Sequence, residues 1–313
     1  MKKRYPYRNE LRGPNVYAGN MKLTNPFLRL FFWLNHVRAV RTKPILSTTK
    51  STIRVPGEHG VLIDCIVITP DRIDPAAPTI IDFHGGGFFG GLSIAVLQKA
   101  CFYADELKGK VFLPLYRTSY RHKFPTPVED CFEAASWIVA HADELQVNRD
   151  KIVVYGDSAG GCLAAAVTLM ARDRKAFPIA FQMLIYPVTD LLQEGESLKT
   201  YADGNWSAAA NKQMWPLYLG EKDPENVGYA SPLRADSLSD LPPAYVEPQE
   251  YDSLRDDGIA YAKRLGASGV PVILNVIEGS YHAFEEEYPS PFVVSVLRHR
   301  TDVLRTHFNI PKP

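Results

Sequence analysis

The sequence has no apolar run long enough to cross a lipid bilayer. Its most apolar stretch, residues 27 to 34, is less than half of the roughly 20 residues that a transmembrane helix needs. The basic N-terminus also has no continuous apolar core of the kind that a secretory signal carries. These absences predict a cytoplasmic protein.

Cysteine is scarce as well. The four cysteines, Cys65, Cys101, Cys131 and Cys162, are widely separated and form no C-x-x-C pair. No spacing of Cys and His matches a tetrahedral zinc site, so we predict reduced thiols and no metal.

An excess of charge of either sign is also absent. The 313 residues include 35 basic and 35 acidic side chains, which gives no electrostatic case for a nucleic-acid partner. The distribution is uneven, because residues 1 to 43 hold ten Lys or Arg and one acid, Glu10. With its aromatic residues, this segment could form a membrane-surface helix. A cap helix with solvated arginines is the favoured interpretation, since Arg29 interrupts the apolar face.

From about residue 52, short apolar runs alternate with helix-length segments. This alternation is typical of a mainly parallel sheet with crossover helices, and the chain length fits one such domain with an inserted subdomain. The predicted strands are residues 61–68, 79–83, 111–116, 152–155, 181–186, 244–247 and 272–277. The predicted crossover helices are residues 93–107, 127–141, 159–172 and 254–265. The sequence thus predicts an α/β fold with helices on both faces of a twisted sheet.

Two segments fit this pattern less well, residues 1 to 50 and about 190 to 230. We expect them to form a helical cap on an α/β domain that spans residues 51 to 313. On composition alone, the favoured alternative is that aromatic residues such as Trp206 and Trp215 simply hold a helix onto the core.

The strongest local motif is G-D-S-A-G-G at residues 156 to 161, between a predicted strand and a predicted helix. A serine on such a sharp turn needs glycine neighbours, because the strained backbone and the close helix leave no room for side chains. The turn would expose the hydroxyl of Ser158 as a nucleophile. The bare pattern occurs by chance in about one chain of this length in ten, so alone it is only suggestive.

A second glycine motif, H-G-G-G-F at residues 84 to 88, directly follows the predicted strand at 79–83. Its glycines leave backbone N–H groups free to point at a developing oxyanion, and the N–H of Ala159 is a further donor. His84 is expected to shape this loop by a hydrogen bond to a backbone carbonyl. Because both motifs follow strands, a plain flexible turn is a poor alternative.

A nucleophilic serine needs a general base, and the base needs an acid that fixes its tautomer. In folds that expose serine on such a turn, the order along the chain is serine, acid, histidine. Of the histidines after Ser158, His282 lies in a loop after the last predicted strand, whereas His299 and His307 fall in a terminal helical pattern. His282 is therefore the predicted base.

The predicted acid is Asp252, which follows the strand at residues 244–247 and precedes a helix. Glu250 is the alternative, and Asp252 is preferred on position. Asp252 could also be a helix N-cap, a structural role that is compatible with catalysis. Asp256 and Asp257 are expected inside the helix, facing solvent or an ion pair.

With these motifs, the chain resembles the hormone-sensitive-lipase-like branch of the α/β-hydrolase fold, which includes many bacterial esterases and acetyl esterases. The likeness runs from about residue 61 to the C-terminus and rests on HGGGF, GDSAGG, EYDSLRDDG and SYHAF. The resemblance implies a cap built from an N-terminal segment and an insertion after the sixth strand. It implies a catalytic triad of Ser158, Asp252 and His282. It also implies an oxyanion hole formed by the N–H groups of Gly85, Gly86 and Ala159.

The expected activity is carboxylic ester hydrolysis through an acyl-enzyme, on small-molecule esters with short to medium acyl chains and without a metal or organic cofactor. The expected pocket residues are aromatic, namely Phe88, Phe89, Tyr186, Trp206 and Trp215. One alternative is a deacetylase or amide deacylase for one metabolite or sugar acetate. Another is a non-catalytic ligand-binding receptor on the same fold, which the presence of His282 disfavours. The sequence predicts no particular oligomeric state.

Overall fold

The central sheet is seen in a computed structural model that describes residues 5–13, 22–221 and 224–311. Within these ranges, eight strands form one sheet in the order β1-β2-β4-β3-β5-β6-β7-β8. The strands are β1 (Thr48–Pro56), β2 (Leu62–Pro70), β3 (Thr79–Phe83), β4 (Val111–Pro114), β5 (Ile152–Asp157), β6 (Phe181–Ile185), β7 (Ala244–Glu247) and β8 (Val272–Leu274). Strand β2 is antiparallel to β1 and β4, and the pairs from β4 to β8 are parallel. The predicted α/β sheet is confirmed.

Seven of these strands coincide with predicted segments, and β1 does not. Strand β1 lies at the edge of the sheet, and only Thr48 and Val55 of it are buried. Its mostly polar sequence therefore carries little hydrophobic signal. Strand β8 ends at Leu274, three residues earlier than predicted, and Ile277 forms only an isolated bridge to Gln249.

The helices of the described chain include the four predicted crossover segments, with ends that differ by a few residues. They are α1 (Pro26–Arg41), α2 (Ile94–Leu107), α3 (Thr126–Ala140), α4 (Ala159–Asp173), α5 (Ser197–Thr200), α6 (Ala208–Leu219), α7 (Val227–Ala230), α8 (Arg255–Ala267) and α9 (Pro291–Phe308). Within the described ranges, each helix is too short or too polar to span a bilayer.

Apolar side chains are buried on both faces of the sheet. On one face, Ile81 and Val154 belong to a core cluster shared with α3 and α4, and on the other, Ile80 and Val153 belong to a cluster shared with α2 and α9. This alternation is expected of parallel strands that are covered on both sides. Strands β3 and β5 are neighbours, so the two glycine motifs that follow them emerge side by side at the carboxyl edge of the sheet.

The two segments that are predicted to form a cap, residues 1 to 50 and 190 to 230, contact each other. The N–H of Leu23 donates to Oε1 of Gln213 over 3.0 Å. Parts of both segments lie outside the described residues, namely residues 1–4, 14–21, 222 and 223. The division of the chain into a cap and a catalytic domain stays a prediction.

Helix α6 is attached to the core by three large buried side chains, Met214, Trp215 and Tyr218. Its C-terminal part is also tied to the rest of the chain by the N–H of Phe124, which donates to the Tyr218 carbonyl over 2.8 Å. The interpretation that aromatic residues hold a helix onto the core is therefore confirmed for Trp215.

Candidate active site

Ser158 lies between the end of β5 and the first residue of α4. Its backbone has φ 57° and ψ −121°, which residues other than glycine rarely adopt. The neighbouring glycines are required by space. A Cβ on Gly160 would lie 1.8 Å from the carbonyl oxygen of Phe83, and one on Gly156 would lie 2.0 Å from that of Gly160. The chain therefore forms the strained strand-to-helix turn that the motif predicts.

Ser158, His282 and Asp252 form a continuous hydrogen-bonded series. His282 Nε2 is 2.9 Å from Ser158 Oγ, and His282 Nδ1 is 2.8 Å from Asp252 Oδ2. Because an ionised carboxylate can only accept, Nδ1 carries the ring proton and Nε2 is free to accept the serine proton. All three side chains are nearly buried. This arrangement can deprotonate the serine hydroxyl as it attacks an electrophile.

Asp252 lies in the loop between β7 and α8. One carboxylate oxygen accepts from His282, and the other accepts from the N–H of Leu254 over 3.0 Å. The side chain thus orients the histidine and also caps the turn that leads into α8. Glu250, the alternative acid, accepts from the N–H of Gly279 over 2.6 Å. The geometry therefore favours Asp252 as the partner of His282.

The 190–230 segment contacts the loops that carry His282 and Asp252. Asn205 Nδ2 donates to the carbonyl of His282, and Ser253 Oγ donates to the carbonyl of Trp206, each over 2.7 Å. The rings of Tyr186 and Trp206 lie 4.6 and 6.0 Å from the His282 ring, centroid to centroid. Sequence reasoning missed Asn205, because a lone amide in a polar loop carries no sign of a distant partner.

The H-G-G-G-F loop lies beside the serine. A Cβ on Gly85 would lie 2.6 Å from the Asp157 carboxylate and 3.3 Å from the Cβ of Ser158. Gly86 has a φ of +111°, which a residue with a Cβ rarely adopts. In the described part of the chain, the N–H groups of Gly85, Gly86 and Ala159 donate to no backbone carbonyl. They are therefore available to a bound oxygen atom.

His84 braces this loop. Its Nδ1 is 2.8 Å from the carbonyl oxygen of Gly85, and its ring stacks on Tyr116 with centroids 4.3 Å apart. The Tyr116 hydroxyl donates to the His84 carbonyl over 2.8 Å. Burial lowers the pKa of His84 to about 4, so the ring is neutral at pH 7 and Nδ1–H donates to Gly85. The predicted role of His84 is confirmed.

The other three aromatic residues that were expected in the pocket belong to the H-G-G-G-F loop, to the residue that follows it and to helix α6. Phe88 is fully buried, and its ring stacks on Tyr218 at 3.7 Å and lies 6.1 Å from that of Trp215. Phe89 lines a cavity of about 570 Å³ between α1 and residues 115–121, and the triad is not part of that lining. A role for these three residues in substrate binding stays a prediction.

A buried ion pair involves the residue that precedes the serine. Lys99 Nζ is 2.6 Å from Asp157 Oδ1, and both side chains are nearly inaccessible. Among the described residues, neither carboxylate oxygen of the fully buried Asp82 has a hydrogen-bond partner. Burial raises the pKa of Asp82 to about 7, and the charge of Lys99 opposes this rise. The turn that carries Ser158 is therefore fixed by charge as well as by packing.

A second buried charge cluster adjoins His282. Arg300 of α9 donates to Glu247 over 2.9 and 2.5 Å and to Glu285 over 2.7 Å. Glu285 also accepts from the Tyr186 hydroxyl over 2.7 Å. Because Tyr186 packs on the His282 ring, the cluster holds a side chain that directly contacts the base.

The sequence-based expectation for Asp257 is wrong. This residue is buried, and its Oδ2 has no hydrogen-bond partner among the described residues. Burial, together with the carboxylates of Asp190 and Asp256, raises the pKa of Asp257 to about 8. Asp257 is therefore mainly protonated in the folded protein at pH 7.

We expect Asp257→Asn to change how stability depends on pH. An unfolded aspartate has a pKa of about 3.9, so the folded wild type binds an extra proton between about pH 4 and pH 8. The extra proton stabilises the folded wild type. Its contribution to the free energy of unfolding is greatest below about pH 4 and is lost as pH rises through about pH 8. Since the amide does not titrate, the free energy of unfolding of the variant minus that of the wild type should increase with pH. Urea unfolding of both proteins at several pH values between about 4 and 8 measures this difference in the free energy of unfolding.

Asp240→Asn is the control for this experiment, because Asp240 is exposed and is not among the carboxylates that raise the pKa of Asp257. It leaves the titration of Asp257 in place. Parallel pH profiles for the wild type and Asp257→Asn would show that the buried carboxyl has no raised pKa.

Comparison with known proteins agrees with this geometry. A family model described as alpha/beta hydrolase fold matches residues 80 to 286. Esterase LipI of Mycobacterium tuberculosis is 38% identical over 222 residues, which cover 69% of this chain and 67% of that protein. An arylesterase of Saccharolobus solfataricus is 38% identical over 208 residues, which cover 66% of this chain and 67% of that protein. A solved bacterial heroin esterase superposes with a TM-score of 0.83 at 32% identity, covering 90% of this chain and 92% of the other.

The fold and the site define an α/β hydrolase, and the matched region runs from β3 to just beyond His282. The chain belongs to the hormone-sensitive-lipase-like family of these enzymes, as its motifs predict. It is an esterase of the serine-hydrolase class.

Proposed function

We propose that this chain hydrolyses carboxylic esters with Ser158 as nucleophile, His282 as general base and Asp252 as the acid that orients the base. The observation that carries the proposal is the hydrogen-bonded series that joins these three side chains, with distances of 2.9 and 2.8 Å. The related esterases support the reaction class. A non-catalytic receptor is disfavoured, because the base lies in position against the serine.

The first half of the reaction transfers the acyl group to the enzyme. His282 Nε2 takes the hydroxyl proton of Ser158 as Oγ bonds to the ester carbonyl carbon, and the carbonyl π electrons move onto oxygen. The intermediate then collapses, the bond to the alcohol oxygen breaks, and His282 gives the proton to that oxygen. In the second half, water attacks the acyl-enzyme with His282 again as base, which releases the carboxylic acid and restores Ser158. Asp252 stabilises the imidazolium in both halves.

The N–H groups of Gly85, Gly86 and Ala159 are the proposed oxyanion donors. They belong to the two turns that meet at Ser158, and that of Ala159 lies at the N-terminus of α4, where the helix dipole favours negative charge. Each donor of this kind typically stabilises the transition state by about 3 kcal/mol.

Esters with short to medium acyl chains are the proposed substrates. The Trp206 ring limits the space beside the glycine loop, since a Cβ on Gly87 would lie 2.9 Å from its Cη2. The same ring lies against His282. An acyl chain on Ser158 would therefore meet the indole after a few carbons, and the 190–230 insertion would act as a cap that sets acyl length.

Initial rates on p-nitrophenyl esters from acetate to palmitate test this proposal. We expect kcat/KM to be highest for a short or medium chain in the wild type. In Trp206→Ala the maximum should move to longer chains, because the smaller side chain opens space beside His282. Trp137→Ala, at a half-buried tryptophan of α3, is the matched control and should leave the profile unchanged.

A wild-type maximum at the longest chains would contradict the proposed acyl range. No hydrolysis of any ester would contradict general esterase activity and favour a deacylase for amides or sugar acetates. The cytoplasmic location and a reaction without metal or organic cofactor stay predictions.

A further inference from the structure

The outward side of helix α1 is apolar. Phe27, Leu30 and Leu34 are spaced at i, i+3 and i+7, so they line one side of the helix, and Trp33 flanks Leu30. The exposed fractions of Phe27, Leu30, Trp33 and Leu34 are 77%, 50%, 58% and 52%. Phe31 lies in the same row and is 43% exposed. Large apolar side chains that are clustered and exposed in this way mark an interaction surface.

The opposite side of α1 packs on the rest of the chain. Leu28 is buried, and the Phe32 ring lies 5.3 Å from that of Phe89. His36 Nδ1 accepts from the N–H of Leu92 over 3.1 Å. These contacts fix the rotation of the helix about its axis. The row of Phe27, Leu30 and Leu34, called the outer stripe below, therefore lies away from this packed side, and Leu30 and the flanking Trp33 also border the cavity between α1 and residues 115–121.

The charge around the outer stripe is of one sign. Residues 22 to 43 contain no Asp or Glu and five basic residues, Lys22, Arg29, Arg38, Arg41 and Lys43. Arg38 and Arg41 continue the row of the outer stripe, at i+11 and i+14 from its first residue. Arg29 projects from the other side of the helix, with its guanidinium 5.4 Å from the centroid of the Tyr120 ring. Arg29 therefore does not interrupt the outward apolar face, contrary to the expectation from sequence.

We propose that the outer stripe docks on the surface of an anionic lipid bilayer. The apolar side chains enter the headgroup region, and Arg38 and Arg41 pair with lipid phosphates at the same surface. Trp33, beside the stripe, is of the residue type that favours the membrane–water interface. The sequence pattern alone favours a cap helix with solvated arginines over a membrane-surface helix. Because the outer stripe lies away from the packed side of α1, the structure favours the membrane-surface helix.

A second copy of this chain fits the outer stripe less well. In a symmetric dimer, the basic residues of α1 from both copies would enter one interface. Residues 22 to 43 contain no acidic side chain that could pair with these basic residues. The repulsion between the basic residues of the two copies would therefore not be compensated within this segment. A bilayer with anionic lipids provides both the apolar medium and the opposite charge.

Co-sedimentation of the full chain with lipid vesicles tests the proposal. We expect binding to vesicles of about one third phosphatidylglycerol in phosphatidylcholine, and much weaker binding to phosphatidylcholine alone. Phe27→Ser/Leu34→Ser, the apolar double variant, should lower the partition coefficient about tenfold or more. Arg38→Gln/Arg41→Gln, the cationic double variant, should lower it about tenfold on anionic vesicles and leave binding to neutral vesicles unchanged.

Matched controls come from exposed residues outside α1. Leu62→Ser/Leu192→Ser replaces two leucines that are also about half exposed, and Arg72→Gln/Lys175→Gln replaces two exposed cations. Both controls should bind anionic vesicles as the wild type does. Hydrolysis of soluble p-nitrophenyl acetate should be the same in all four variants and the wild type, so the result for docking is independent of the proposed function.

Three results would overturn the proposal. The first is equal binding of the wild type to anionic and neutral vesicles, or no binding to either. The second is unchanged binding of the apolar double variant. The third is self-association of the wild type in sedimentation velocity that the apolar double variant abolishes, since the outer stripe would then be an interface between copies of this chain.

Discussion

Ser158→Ala should lower kcat for p-nitrophenyl acetate on the order of 10⁴-fold or more. Without the hydroxyl no acyl-enzyme forms, and the residual rate comes from water that attacks a carbonyl held by the oxyanion donors. Alanine retains the Cβ and fits the same turn, so the free energy of unfolding should stay within about 1 kcal/mol of the wild-type value. Initial rates of p-nitrophenolate release, measured on protein with a verified fold, give the result.

Ser295→Ala, at an exposed serine of α9, is the control and should keep full activity. His282→Ala should lose about as much activity as Ser158→Ala. The variant with both changes should lose little more than either alone, because the two residues act as a unit. Ester hydrolysis by Ser158→Ala near the wild-type rate would mean that the nucleophile is another residue and that the triad assignment is wrong.

Arg300→Met should lower the free energy of unfolding by about 3–5 kcal/mol. The substitution keeps an apolar side chain in place but leaves the buried carboxylates of Glu247 and Glu285 without their cation. Arg298→Met, on the same helix, removes an exposed arginine whose Nε is 3.7 Å from Glu106, and should cost less than about 1 kcal/mol. Urea unfolding followed by tryptophan fluorescence measures both losses.

A third variant separates the effect of the unpaired buried charges from the effect of the packing that is lost with the arginine side chain. Arg300→Met/Glu247→Gln/Glu285→Gln removes the two unpaired charges, and it should be more stable than Arg300→Met alone. If Arg300→Met and Arg298→Met were equally stable, the buried cluster would contribute no more than a surface ion pair.

Much of the site could be predicted from sequence because its backbone demands particular residue types. The turn at Ser158 has no room for a Cβ at Gly156 or Gly160, so the local structure is visible as a glycine pattern. The position of His282 followed from chain order, since it is the histidine in a loop after the last predicted strand. These inferences needed only local geometry and order along the chain.

The buried charges could not be predicted in the same way. Lys99, Asp82 and Arg300 lie far apart in the sequence and outside the motifs, and a charged residue is expected at the surface unless a partner is known. Their partners are brought together only by the packing of α2 and α9 on the sheet. Asp257 shows the same limit, because its position on α8 alone does not reveal that its carboxyl lies beside other carboxyls.

Helix α1 shows a different limit. Its sequence is apolar on both sides, with Leu28 and Phe32 on one and Phe27 and Leu34 on the other. A hydrophobic pattern cannot choose between two such sides, because both would gain from leaving water. The contact of the Phe32 ring with that of Phe89, the residue after the glycine loop, decides which side packs.

The loop that carries His282 is anchored at two points. The His282 carbonyl is held by Asn205, and Glu285, three residues further on, is paired with the buried Arg300. Movement of the histidine away from Ser158 would therefore strain the ion pair between Glu285 and the fully buried Arg300. We therefore expect this loop to open together with the unfolding of α9 and the sheet, and not by local unfolding at a lower temperature. On heating, the enzyme should stop working when it unfolds and not before.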